Sequence, residues 1–142
     1  MDATLRTAIE ETCRGLVVAL VHHYDHGRAA EAAALFTPDG VWVKSRVPYH
    51  GREAIVASFA AQPPSLVMRH FTSNILVTVA DETNASAVTY YMAFVAQGQR
   101  QDALPLTGPA SIGEWRDRFV MTSEGWRFAR REGSRVFSRN GS

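Results

Sequence analysis

A single cysteine, Cys13, stands in a chain of 142 residues. That scarcity excludes an internal disulfide and a multi-cysteine zinc site. It suits a reducing compartment, so a cytoplasmic protein is expected. Charge of one sign is also scarce: the formal net charge of +1 leaves no broad field to attract nucleic acid or an anionic membrane. The expected partner is therefore a small molecule or another subunit. Long hydrophobic runs are missing too. The longest near the start, residues 15–21, is too short to span a bilayer, and Asp2, Glu10 and Glu11 precede it where a leader would be basic. No signal or anchor is expected. Neither a phosphate-binding glycine loop nor a serine-centred elbow occurs.

What is present is a hydrophobic share of 46%, enough for one core without covalent staples, and a single domain over residues 1–142 is expected. Leu5, Ile9, Cys13, Leu16, Leu20 and Tyr24 recur at steps of three or four, which predicts a helix over residues 4–24. Asp25, His26 and Gly27 interrupt it, and the alanine-rich residues 28–36 predict a short second helix ended by a turn at Thr37, Pro38, Asp39 and Gly40. Val41, Trp42 and Val43 predict a short strand. A third helix is expected from Gly51 until Pro63 and Pro64 end it. Residues 68–79, 85–96, 111–122 and 126–137 are rich in β-branched and aromatic side chains, which predicts an antiparallel meander. Residues 98–109 are read as a long hairpin loop or flap, and residues 138–142 as a disordered tail. Helices first and strands afterwards imply an α+β fold, with the helices on one face of a strongly curved antiparallel sheet that encloses an apolar pocket.

Titratable groups crowd the end of the first helix, at His22, His23, Tyr24, Asp25 and His26. The Asp25 carboxylate has two readings, as a cap for the next helix or as a group aimed at the sheet. His70 begins a strand in which alternation places Met68, His70, Thr72, Asn74 and Leu76 on one face unless a bulge intervenes. A neutral imidazole with one nitrogen held by a carboxylate is a good general base near neutral pH, and Asp25 is the candidate holder. His22 and His26, four apart with His23 or Asp25 nearby, have the spacing of metal ligands but lack the intervening glutamate of a zinc-protease helix, so no metal is assigned. Cys13 lies within the apolar stripe and reads as packing.

Aromatic side chains are plentiful and most must be core. Trp42, Tyr49, Phe59 and Trp115 are the candidate pocket walls, together with Tyr91, which must face opposite to its neighbour Tyr90. Arg116, Arg118, Arg127, Arg130, Arg131 and Arg135 concentrate charge in the last two strands. A solvated face explains most of them, while one inward arginine, Arg131, has the chemistry to hold an anionic or enolate oxygen.

Five pieces in order resemble the SnoaL-like branch of the nuclear transport factor 2-like superfamily. They are Tyr24-Asp25, residues 35–42, residues 51–55, the run Arg69-His70-Phe71-Thr72-Ser73-Asn74, and residues 125–128. The resemblance covers nearly the whole chain and implies a cone-shaped α+β barrel. It implies that Asp25 and His70 stand where scytalone dehydratase and hexachlorocyclohexane dehydrochlorinase place an Asp-oriented histidine that removes a proton as a leaving group departs. Tyr24 would then bind a substrate or water oxygen. Tyr91 falls near a dehydratase histidine and Trp115 near a dehydratase asparagine, so that part of the pattern is missing.

Three functions follow as expectations, since fold membership does not establish a reaction. The first is a cofactor-independent, dehydratase-like lyase acting on a hydrophobic cyclic or aromatic molecule. The second is an isomerase or polyketide-type cyclase using the same dyad. The third is a noncatalytic ligand-binding or oxygenase-associated subunit. A homo-oligomer, dimer or trimer, is expected.

Overall fold

Asp2 caps the first helix. Its carboxylate accepts a hydrogen bond from the backbone N–H of Leu5 at 2.8 Å, meeting one of the donors that a helix start leaves unpaired. In the computed structural model, which describes residues 1–99 and 102–139, α1 runs Ala3–Asp25 and buries Ile9, Cys13, Val17, Leu20, Val21 and Asp25. Steps of four from Ile9 thus lead to Asp25, which the helix carries into the interior. Gly27 then takes the left-handed conformation, with φ at 67°, and lets the chain reverse after α1.

The remaining elements are α2 (Ala29–Ala34), β1 (Phe36–Lys44), β2 (Val47–His50), α3 (Gly51–Ala60), β3 (Leu66–Val79), β4 (Asn84–Gln97), β5 (Ser111–Thr122) and β6 (Gly125–Ser138). One six-stranded sheet has the order β2-β1-β6-β5-β4-β3. From β3 to β6 it is the expected meander. Two features correct the expectation of an antiparallel barrel: β1 pairs with β6 in parallel, and β2 and β3 remain as edges, so the sheet is mixed and does not close.

The turn expected at residues 37–40 is instead an irregularity inside β1. Its pairing to β6 shifts register between Phe36 and Val41. Gly40 permits this, because a Cβ there would meet the Phe36 Cβ at 2.9 Å. The short β2, which follows two exposed residues in left-handed conformation, Ser45 and Arg46, has no counterpart in the sequence expectations. The strands on either side of the expected loop, β4 and β5, are antiparallel neighbours, as in a hairpin. Arg139 holds the later part of that loop by donating to the carbonyl oxygens of Thr107 and Pro109. Ser138 still belongs to β6, and the tail expectation for 140–142 lies outside the described residues.

The core lies between the helices and the inner sheet face, where Phe36, Phe119 and Phe128 are fully buried. Each contributes about 1.5–3 kcal/mol of apolar burial. On the outer face Phe71, Leu76, Tyr90 and Met92 stay exposed. None of the described helices is long and apolar enough to cross a membrane.

The inner face of β3 departs from simple alternation. A register shift between Ser73 and Leu76, with Asn74 at φ 53°, turns Asn74 and Leu76 outward and hands the inner face to Ile75, Val77 and Val79. Another register shift lies in the β5–β6 pairing beside Gly113, where β6 carries the extra residue, Val136, and Gly113 is the cross-strand partner of Tyr91. A Cβ at Gly113 would collide with the Ser134 carbonyl oxygen and come within 2.7 Å of the Tyr91 ring. Gly113→Ala is therefore expected to cost about 1–3 kcal/mol through overpacking. Urea unfolding checks this, and a loss below about 0.5 kcal/mol would mean that the strand gives way freely.

Candidate active site

Because β3 is an edge strand, its amides that point away from β4 have no ladder partner. The Asp25 carboxylate takes one of them. Its Oδ2 accepts from the backbone N–H of His70 at 2.8 Å, while Oδ1 lies 2.5 Å from His70 Nδ1. The capping reading of Asp25 is thereby set aside in favour of the sheet. An ionised carboxylate only accepts, so Nδ1 carries the proton it donates, and Nε2 is left with the basic lone pair. Both side chains are buried, with 8% exposure for His70 and 5% for Asp25. Burying a carboxylate costs several kcal/mol, and the negative end of α1 adds to that cost; two hydrogen bonds from one residue offset it.

Rings surround the imidazole. Tyr24 stacks on it with centroids 5.3 Å apart, Trp115 lies at 5.5 Å and Tyr91 at 5.9 Å. Trp115 and Tyr91 stack on each other at 4.7 Å. Tyr24 also meets Trp42 and Phe59 edge-on, at 5.0 and 5.6 Å. The Tyr24 hydroxyl accepts from Gln62 Nε2 at 3.1 Å and keeps its own proton to donate. Burial pushes the phenol above its ordinary range, so it stays a neutral donor. Where the sequence predicts an apolar pocket, these rings stand around the imidazole. Two surface clefts lie elsewhere, one between β3, β4 and residues 104–108, the other between residues 109–112 and 137–139.

The remaining expected site residues separate into two groups. Trp42, Tyr49, Phe59, Tyr91 and Trp115 all lie on the inner side near Tyr24 or His70, whereas Tyr90 faces outward. Arg131 does point inward and is 1% exposed, but it is already matched: Nε and a terminal nitrogen donate to Asp117 at 2.7 and 2.8 Å. Its guanidinium stacks on Trp115 and Phe128. Asp117, its direct cross-strand partner, was not among the expected residues. His26 Nδ1 donates to the His22 carbonyl at 2.8 Å and so closes the end of α1. Among the described residues no three His, Cys, Asp or Glu side chains are grouped as a metal site needs.

Lys44 is a second residue that the sequence did not single out. It is the only lysine in the chain, beside 14 arginines, and that disproportion was the available signal. Alternation along β1 puts Lys44 on the same side as Trp42. Its Nζ sits 4.1 Å from the Trp42 ring centre, 4.5 Å from Phe59, 4.6 Å from Tyr24 and 5.9 Å from Tyr49. It donates to Ser58 Oγ at 2.9 Å, and that hydroxyl donates in turn to the Ile55 carbonyl. Ring faces attract an ammonium, but loss of water opposes it, and burial pushes the amine down to about 8.

A family model described as a SnoaL-like domain matches residues 5–132. Three solved structures share the fold. A candidate scytalone dehydratase of Novosphingobium aromaticivorans superposes with TM-score 0.81 at 20% identity, over 96% of this chain and 89% of that one. An NTF2-like protein with a cystatin-like fold from the same organism gives 0.75 at 24%, over 98% and 90%. A type 2 hexachlorocyclohexane dehydrochlorinase, LinA, gives 0.79 at 11%, over 96% and 90%. At these identities the likeness is one of fold. No curated protein matches the chain in sequence.

Two outcomes test the buried charges. Arg131→Met is expected to cost about 3–5 kcal/mol by leaving Asp117 unpaired, while Arg131→Met combined with Asp117→Leu recovers most of the loss. A single variant within about 1 kcal/mol of wild type by urea unfolding would show that Asp117 is not held as a buried charge. For Lys44, the unfolded chain keeps its proton to 10.5 and the folded one only to about 8, so stability rises with pH between those values. Tyr24 and Tyr49 are the titratable groups facing it, and Tyr24 is shifted upward. Lys44→Met is expected to be more stable than wild type at pH 7, with the gap narrowing from about pH 8 to about pH 10. Urea midpoints across that range measure it, and a constant gap would place the amine in water.

Proposed function

The chain belongs to the SnoaL-like domain family, and from that premise we propose that it is a cofactor-independent lyase. It acts by dehydratase-like elimination on a hydrophobic cyclic or aromatic small molecule, as one domain over the whole chain. The observation that carries this reading is the double hydrogen bond from Asp25 to the ring and the amide of His70. It fixes the imidazole tautomer and orientation, the two properties a general base must have before a substrate arrives.

In this mechanism His70 Nε2 takes a proton from a carbon next to a carbonyl group. The electron pair of that C–H bond forms a carbon–carbon double bond as the neighbouring leaving group departs with its own bonding pair. Asp25 stabilises the imidazolium, and the Tyr24 hydroxyl donates to the oxygen on which charge develops. Trp42, Tyr49, Phe59, Tyr91 and Trp115 exclude water, which strengthens these interactions. Arg131, its charge met by Asp117, supports Trp115 from below rather than binding substrate directly. Isomerisation or ring closure by the same dyad differs only in the return of the proton to the substrate. The reading extends to a cytoplasmic location, supported by the lone buried Cys13. It also extends to a homo-oligomer, supported by the exposed apolar side chains Phe71, Leu76, Tyr90 and Met92.

One observation favours a second reading, a noncatalytic ligand-binding or oxygenase-associated subunit. Three rings crowd His70, with centroids 5.3, 5.5 and 5.9 Å from its own. Incubation with a panel of hydrophobic cyclic β-hydroxyketones, followed by mass spectrometry, separates the readings. Loss of water from a substrate supports elimination, a conserved mass with altered connectivity supports isomerisation, and no conversion of any member supports the second reading. His70→Ala and Asp25→Asn are each expected to lower turnover roughly a hundredfold or more with the fold intact. Unchanged turnover in both variants would end the proposal.

A further inference from the structure

Lys44 is a half-buried cation with no carboxylate paired to it among the described residues. Arg131 has Asp117, and the His70 ring has Asp25. Lys44 has one polar neighbour, the Ser58 hydroxyl, and otherwise the faces of Trp42, Phe59, Tyr24 and Tyr49. Because the Ser58 hydroxyl gives its proton to the Ile55 carbonyl, its lone pair faces the amine, and Nζ is the donor. An ammonium has three N–H groups. One is taken by Ser58, and among the described residues no carboxylate makes an ion pair with the others. Taking an ammonium even partly out of water without an opposite charge costs free energy.

We infer that Lys44 is the anchor of an anion subsite, and that the substrate carries a carboxylate on an aromatic or similarly flat ring. The aromatic walls suit the body of such a molecule, and the two spare N–H donors suit its carboxylate. The subsite adjoins the dyad. The Tyr24 ring, 4.6 Å from Nζ, is the ring that stacks on His70. An anion held at Nζ therefore directs the rest of the molecule across Tyr24 toward the imidazole. Access lies from the β1–β2 hairpin: Lys44 is half-buried and the following residues, Ser45 to Pro48, are exposed. With the amine pushed down to about 8, the unliganded site is mostly charged at pH 7, and a bound carboxylate holds the proton on more firmly.

This rests on the dyad only for the direction in which the substrate extends, so its test avoids turnover. The sole lysine gives one side-chain amine signal in protein labelled with 13C- and 15N-lysine. The probes are 2-naphthoate and its neutral counterpart 2-naphthamide. The expected result is that 2-naphthoate binds about tenfold or more tightly than 2-naphthamide, the worth of one charged hydrogen bond. The Lys44 titration midpoint should also rise when 2-naphthoate is added. Lys44→Met, checked for folding by circular dichroism, should lose the preference, and His70→Ala should keep it. Equal affinities, no binding of either probe, an unmoved Lys44 midpoint, or a preference that survives Lys44→Met would overturn the inference. Failure of the dyad mechanism shows separately, as turnover unaffected by His70→Ala.

Discussion

The hydrogen bonds between Asp25 and His70 join the two parts of the molecule that the sequence writes furthest apart in character, the end of the opening helix and the start of an edge strand. Asp25 lies at the negative end of α1 and is buried, so its charge is tolerated only where donors meet it. His70 supplies both, one from the backbone and one from the ring. The same contact that satisfies the helix end also fixes the imidazole. Structural need and chemical readiness therefore coincide in a single pair. This pair sets the position of Tyr24 as well, since a residue next to Asp25 on the helix has little freedom once the carboxylate is gripped.

Much of the architecture was legible because it rests on local periodicity. The 3.6-residue pattern of α1 and the alternating apolar pattern of the four late strands both appear where expected. Asp25 was legible in part: read in steps of four from Ile9, Cys13, Val17 and Val21, it falls on the buried stripe. A stripe drawn through Leu16 and Tyr24 leaves it at the margin. What escaped depended on partners distant in sequence. The parallel pairing of β1 with β6, the opposition of Asp117 and Arg131, and the hairpin formed with β2 are all decided by tertiary register. Pro38 and Gly40 misled for a physical reason. They mark a break in backbone regularity, and a bulge breaks it as surely as a turn does.

Charge sits at three places on the inner side of the sheet, two of them buried and the third, Lys44, half-buried, and rings accompany each one. Trp115 serves two of them, with Arg131 against its ring and His70 beside it. Trp42 and Tyr24 serve the third, around Lys44. Flat rings exclude water while offering a negative face to cations, so they permit burial of polar groups that aliphatic side chains would not. They also hold those groups apart. Neighbouring charges share a ring between them, Trp115 for Arg131 and His70, Tyr24 for His70 and Lys44.

The register shift in β3 divides that strand into two stretches with different obligations. Before it, Met68, His70 and Thr72 face the dyad side; after it, Ile75, Val77 and Val79 seal the hydrophobic interior. A strand without the bulge would bind both stretches to one parity, and any slip that improved packing at one end would invert the imidazole at the other. With the extra residue absorbed at Asn74, the two ends are free to vary separately. Change can accumulate around the reacting groups while the foundation that supports them stays in step with β4.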